Sequence, residues 1–125
     1  LEGLDYEHGT GHGVGFFLNV HEGPQAISKF NKIKICEGMI ISNEPGYYKK
    51  GKFGIRIENL VYVKKHKKKL MFENLTLAPI DKDLINSKKL SKKEKEYLFK
   101  YHLNVYLKIS KYLTKPEKKW LAGFI

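Results

Sequence analysis

Three histidines and two glutamates stand in settings that suit metal chemistry. His8 and His12 lie in the run Asp5-Tyr-Glu-His-Gly-Thr-Gly-His-Gly-Val-Gly15, and His21 opens His-Glu-Gly-Pro24. Glu44 opens Glu-Pro-Gly-Tyr-Tyr48, and Glu58 closes Gly54-Ile-Arg-Ile-Glu58 before Asn59. Glycines let backbones approach closely and leave a neighbouring imidazole unshielded. His8 and His12 have the spacing of a helical zinc motif, but Gly9, Gly11 and Gly13 make a helix there implausible. A carboxylate flanked by Ile55, Ile57, Leu60 and Val61 must be paired or coordinated if its face is buried. Arg56, two positions before Glu58, leaves both readings open: an ion pair or a metal ligand. One imidazole and two carboxylates form a mixed nitrogen and oxygen set, suited to Zn2+ alone or to Mn2+ in a more oxygen-rich site. Three such donors hold one ion with open positions and do not hold two ions well.

Strands and turns must position these groups. Val14, Phe16, Leu18 and Val20 alternate, which predicts a strand over 13–20. Residues 25–34 read as a loop, and 39–43 as a strand that Pro45-Gly46 interrupts. Lys49 to Lys52 forms a hairpin tip, followed by a strand over 55–64 rich in strand formers. If the strands flanking this tip pair, Glu44 and Glu58 can face one cavity. Lys64 to Lys69 reads as a second tip and 70–77 as a returning strand. Ser91 and Glu94 form a capping-box signature. Leu98, Tyr101, Val105, Ile109 and Tyr112 then recur at helical spacing, predicting an amphipathic helix over 92–113. Thr114-Lys-Pro-Glu117 starts a shorter helix ending near Gly123. The apolar stripe of the long helix serves either for packing on the sheet or, with Tyr97, Tyr106 and Trp120, for a dimer interface.

Composition narrows the class. The 125 residues carry a net charge of +11. Residues 1–58 balance seven basic against seven acidic side chains, so the excess charge lies entirely in 59–125. A basic tail can attract nucleic acid or acidic lipid, but a solvated lysine-rich surface is the simpler reading. Neither nucleic acid nor a membrane is expected as a partner. No apolar run approaches the roughly 20 residues of a membrane span. Cys36 is the single cysteine, which points to a reducing, cytoplasmic setting. The chain begins with Leu1, and a fragment of a longer protein is expected.

Gly9-Thr-Gly-His12-Gly-Val-Gly15, His21-Glu-Gly-Pro24, Glu44-Pro-Gly-Tyr-Tyr48 and Gly54-Ile-Arg-Ile-Glu58-Asn59, in this order, closely resemble the C-terminal part of aminopeptidase P (Xaa-Pro aminopeptidase). This belongs to the pita-bread metallopeptidases, which also include prolidase and methionine aminopeptidase. Leu75-Thr-Leu-Ala-Pro-Ile80 and the tail around Tyr101-His102-Leu103 extend the resemblance along nearly the whole chain. It implies an α+β fold, the C-terminal portion of a creatinase/aminopeptidase domain: a curved antiparallel sheet with a long C-terminal helix. Residues 1–80 would supply strands, loops and site residues, and 91–123 a helical tail. It implies that His12, Glu44 and Glu58 are metal ligands, with Glu58 bridging. It further implies that His21 stabilises the transition state at the scissile carbonyl and that His8 lines the proline pocket. Tyr48 and Arg56 would belong to a network orienting a metal-ligating aspartate. Two divalent ions, usually Mn2+ with Zn2+ possible, would activate a hydroxide that releases the first residue of peptides with proline second. The resemblance also implies a homodimer as the full-length protein. Two further ligands, both aspartates upstream of His12, have no counterpart among Asp5, Asp81 and Asp83. The chain alone is therefore expected to be inactive. A prolidase-like dipeptidase and a non-catalytic binding module are the competing readings.

Overall fold

A computed structural model describes residues 3–17 and 19–125. The chain forms two compact units, 1–76 and 77–125. In the first, β1 (Gly11–His12), β2 (Ala26–Ile27), β3 (Ile40–Asn43), β4 (Gly46–Lys49), β5 (Phe53–Arg56), β6 (Asn59–His66) and β7 (Lys69–Asn74) follow in order. They pair antiparallel as β1 with β2, as β4 with β5, and as a three-stranded sheet in the order β3-β6-β7. Along β6, Asn59, Val61 and Val63 are buried and the intervening residues less so, the two-residue period of a strand with one face inward. Ile41, Val61 and Val63 form the core, with Ile27, Ile35 and Met39 packed against them.

Three expectations for this unit are corrected. Among the described residues of 13–20 no strand forms. A single bridge joins Gly13 to Ile41, after which the chain turns so that the Gly15 amide bonds the Asn19 carbonyl at 2.7 Å. Phe16 and Val20 of the alternating series are exposed, and Leu18 lies outside the described residues. Alternation alone supplied no partner strand, and the turn at Gly15 takes the segment out of the ladder. The stretch 25–34 is not wholly loop, since Ala26 and Ile27 pair with His12 and Gly11. The strand over 55–64 is two strands, broken at Ile57–Glu58, because β5 pairs with β4 while β6 pairs with β3. The opposite chain breaks at Glu44–Pro45, where proline has no N–H to donate. The Ile57 amide bonds the Pro45 carbonyl at 3.2 Å. The two glutamates thus sit in facing breaks, where the paired chains change sheets.

The predicted basic tip at 64–69 contracts to Lys67-Lys68. Lys67 adopts φ +54°, a left-handed conformation costing an L-residue about 1–2 kcal/mol.

In the second unit, 3-10 turns at Lys82–Leu84 and Ser87–Lys89 precede α1 (Lys92–Ile109), a 3-10 turn at Ser110–Tyr112, and α2 (Lys115–Ala122). The Ser91 amide donates to Glu94 Oε2 at 2.7 Å, and the Glu94 amide to Ser91 Oγ at 3.3 Å, completing the capping box. At α2 the Thr114 amide and hydroxyl both donate to Glu117 Oε2. Tyr101, Val105 and Leu121 form the core, joined by Ile80, Ile109, Leu113 and Phe124. The helix predicted over 92–113 ends as α-helix at Ile109. The tighter 3-10 turn rotates later residues off the stripe, and Tyr112 is exposed. Among the described residues no helix is long and apolar enough to cross a membrane.

Candidate metal centre

The site begins with close backbone packing. A Cβ on Gly11 would lie 1.9 Å from the Ser42 carbonyl oxygen, so only glycine lets β1 rest against β3. From that position the His12 amide donates to Ser42 Oγ at 2.9 Å. Ser42 Oγ donates in turn to Glu44 Oε1 at 3.1 Å. Ser42 and Glu44 are both buried. The Glu44 amide bonds the Thr10 carbonyl at 2.7 Å, which ties the start of the facing break to the glycine run. Arg56 Nη1 donates to Glu44 Oε2 at 3.1 Å, and Arg56 Nε lies 3.7 Å from Glu58 Oε2. One guanidinium therefore spans the two carboxylates.

Hydrogen bonds settle the imidazole tautomers. His12 Nδ1 is 2.8 Å from the Gly13 carbonyl. A carbonyl oxygen only accepts, so Nδ1 carries the proton, and in the neutral ring Nε2 keeps its lone pair. That Nε2 faces Glu44 Oε1 at 3.3 Å. Two lone-pair atoms held this way call for a cation between them, either a proton or a metal. Ligands at about 2.0–2.2 Å from one ion lie about 3 Å apart. The donor pair fits a divalent ion on this observation. The His21 ring packs beside that of His12, with centroids 4.1 Å apart. His8 is pinned in the same fashion: Nδ1 bonds the Gly9 carbonyl at 2.7 Å, and the Tyr48 hydroxyl donates to Nε2 at 2.6 Å. Tyr48 reaches it by lying over Gly46 and Gly54, where an added Cβ would meet its ring at under 3 Å.

The structure brings together His12, Glu44, Arg56 and Glu58 in one chain of contacts, with the His21 ring tilted beside His12 and Tyr48 bonded edge-on to His8. Among the described residues no group of three or more histidine, cysteine, aspartate or glutamate side chains is close enough to hold an ion by itself. Glu58 enters through Arg56, so its ion-pair geometry is present. At about half exposure for both side chains, such a pair contributes at most about 1 kcal/mol. Ser42 and Thr10 were missed by sequence reading. Ser42 precedes Glu44 by two positions, the spacing that puts strand residues on one face, and that was the available signal. Elsewhere in the unit, the Lys29 ammonium bonded to Asp5 holds the Asp5 carboxyl below its usual range.

Comparison with known proteins adds the following. The model of metallopeptidase family M24 matches residues 2–65, and that of the C-terminal region of peptidase M24 matches residues 68–123. A probable Xaa-Pro aminopeptidase P from Pyrenophora teres f. teres is 50% identical, over 96% of this chain and 20% of its own length. Its counterpart from Coprinopsis cinerea is 47% identical over 96% of this chain and 21% of its own length. The X-prolyl aminopeptidase of Caenorhabditis elegans, described as a cytosolic enzyme with a di-nuclear active site, is similar in structure with a TM-score of 0.88. Its identity is 39%, and the match covers 97% of this chain and 22% of that one. The X-Pro aminopeptidase of Thermotoga maritima gives a TM-score of 0.51 at 45% identity, over 60% of this chain and 19% of that one. The chain spans about a fifth of the length of these relatives. The α+β fold, with its antiparallel strands and long helix, is that of the matching part of the pita-bread aminopeptidase.

Proposed function

This chain belongs to metallopeptidase family M24, and from that premise we propose that the full-length protein is a metal-dependent Xaa-Pro aminopeptidase. It releases the first residue of peptides whose second residue is proline. The observation that carries this reading is His12 Nε2 held 3.3 Å from Glu44 Oε1, with Nδ1 tied to a carbonyl. His12, Glu44 and Glu58 would hold the metal, Glu58 being shared between two divalent ions, together with two further ligands from residues outside this chain. Mn2+ is the favoured occupant and Zn2+ the alternative, since the full donor set is rich in oxygen. When bound, such ions lower the pKa of water and polarise a carbonyl.

The remaining roles fall to this chain's own side chains. Arg56 balances the two glutamates and keeps their carboxylates from repelling one another. It and Tyr48 also belong to the network that orients a ligating aspartate. His21, beside His12, donates a hydrogen bond to the oxygen that gains charge at the scissile carbonyl. His8 lines the pocket for the proline ring, its orientation set by Tyr48 and Gly9. The full-length protein is cytoplasmic and a homodimer, with the exposed Tyr97 and Trp120 and the half-buried Tyr106 at the interface. A monomer in sedimentation at micromolar concentration would refute the dimer, and recovery in a membrane or secreted fraction would refute the location.

The activity is tested on the full-length protein stripped of metal and resupplied with Mn2+. Metal-dependent release of the first residue from a peptide beginning Ala-Pro is expected, and its absence overturns the reading. Cleavage of Ala-Pro-Xaa-Xaa as well as the dipeptide Ala-Pro separates an aminopeptidase from a prolidase.

A further inference from the structure

We propose that Ser42 is a positioning residue of the metal centre, its hydroxyl fixing the separation of His12 and Glu44 by bonding both. This rests on the metallopeptidase reading above. Ser42 is 0% exposed, and a buried hydroxyl needs partners. It has two: it accepts from the His12 amide at 2.9 Å and donates to Glu44 Oε1 at 3.1 Å. The hydroxyl has one proton to give. Its other possible acceptor, the His12 carbonyl, is 3.5 Å away, so the nearer and charged carboxylate takes it.

The consequence is a carboxylate held at both ends. Oε1 carries the Ser42 bond and faces His12 Nε2, while Oε2 carries Arg56. The His12 end is held by its amide on Ser42 and its Nδ1 on Gly13. Gly11 permits this because any Cβ there would strike the Ser42 backbone. The two donors are thus set at ligand spacing by protein bonds alone, so an ion entering between them reorganises little. Removing the hydroxyl leaves the His12 amide without its acceptor and frees the Glu44 carboxylate to turn toward Arg56.

The test uses the full-length protein, stripped of metal and titrated with Mn2+ alone by calorimetry. Ser42→Ala is expected to weaken Mn2+ binding about 10- to 100-fold, the usual effect of losing a group that orients a ligand. Ser42→Thr, which keeps the hydroxyl, is expected to restore binding. A second readout covers the case in which threonine does not fit: the d–d absorption of the Co2+-loaded protein shifts in Ser42→Ala and stays unchanged in Leu121→Ala. Wild-type Mn2+ affinity in Ser42→Ala overturns the proposal and leaves the metallopeptidase reading intact. An unchanged Co2+ spectrum with equal losses in the alanine and threonine variants also overturns it, making Ser42 a packing residue. A wild-type protein that binds no Mn2+ refutes the metal reading itself and this proposal with it.

Discussion

The two units of the chain bury different things. In residues 1–76 the buried set mixes Ile41, Val61 and Val63 with Ser42, Glu44 and Asn59, whereas in residues 77–125 it is Tyr101, Val105 and Leu121 around one histidine, His102. The first unit gives a large part of its interior to polar groups bonded to one another and to side chains of neighbouring strands. Such groups are costly unless every bond is made, so the first unit is shaped by its site. The second is shaped by helix termini and an apolar seam. The difference teaches that a change in unit one should register as function, and an equal change in unit two as stability.

Substitution can break that division. The largest effect is expected for Glu44→Ala or Glu58→Ala in the full-length protein: Mn2+-dependent cleavage falls to background, and in Glu58→Ala the melting temperature moves little. Glu58 is the sharper of the two, since its side chain is about half exposed and contributes little to packing. Next, Leu121→Ala should cost about 2–5 kcal/mol of stability, read by thermal or urea unfolding, with kcat and Mn2+ affinity retained. Retained stability combined with lost activity would reverse the assignment of the two units. Gly11→Ala sits between the two classes. Its methyl would meet the Ser42 carbonyl, so β1 must shift, at about 1–3 kcal/mol, and Mn2+ affinity should fall with it.

How far such partitions can be read from sequence depends on how local their causes are. The capping boxes at Ser91 and Thr114 were legible because donor and acceptor lie three residues apart. The lysine tip at 49–52 and the candidate donors His12, Glu44 and Glu58 were legible from glycines, prolines and ordered motifs. The break at Ile57–Glu58 was not, because it arises where the chain changes partners from β4 to β3 opposite Pro45. Ser42 escaped notice because a serine in Ile-Ile-Ser-Asn carries no signal until His12, 30 positions away, is found bonded to it. His102 lies on the helix as an ordinary polar residue. Only the fold brings the Ile80 amide to its Nε2 at 3.1 Å. The alternation at 13–20 misled because period alone does not supply a neighbouring strand.

Smaller effects sharpen the picture of the second unit. Ser91→Ala removes one half of a capping box and should cost about 1 kcal/mol, seen as a lower unfolding midpoint with unchanged activity. Acid should act through the same groups. The Ser91 hydroxyl and amide hold the Glu94 carboxyl below its usual range, and the Thr114 hydroxyl and amide do the same for Glu117. The folded value lies below the unfolded one. The stabilisation is therefore complete above the ordinary glutamate pKa of about 4.3 and fades as pH falls through the lowered folded value. Helical circular dichroism should decline over that range, and Glu94→Gln should flatten part of the decline. A decline of equal size in the Glu94→Gln, Glu117→Gln double variant would show that the caps are not its source.

The most direct test is metal content. The full-length protein, dialysed against Mn2+ and washed, should retain two ions per chain, as in a di-nuclear centre of the kind described for the worm enzyme, and Glu58→Ala should retain fewer. Undiminished metal in Glu58→Ala would contradict the assignment of the facing strand breaks as a metal centre.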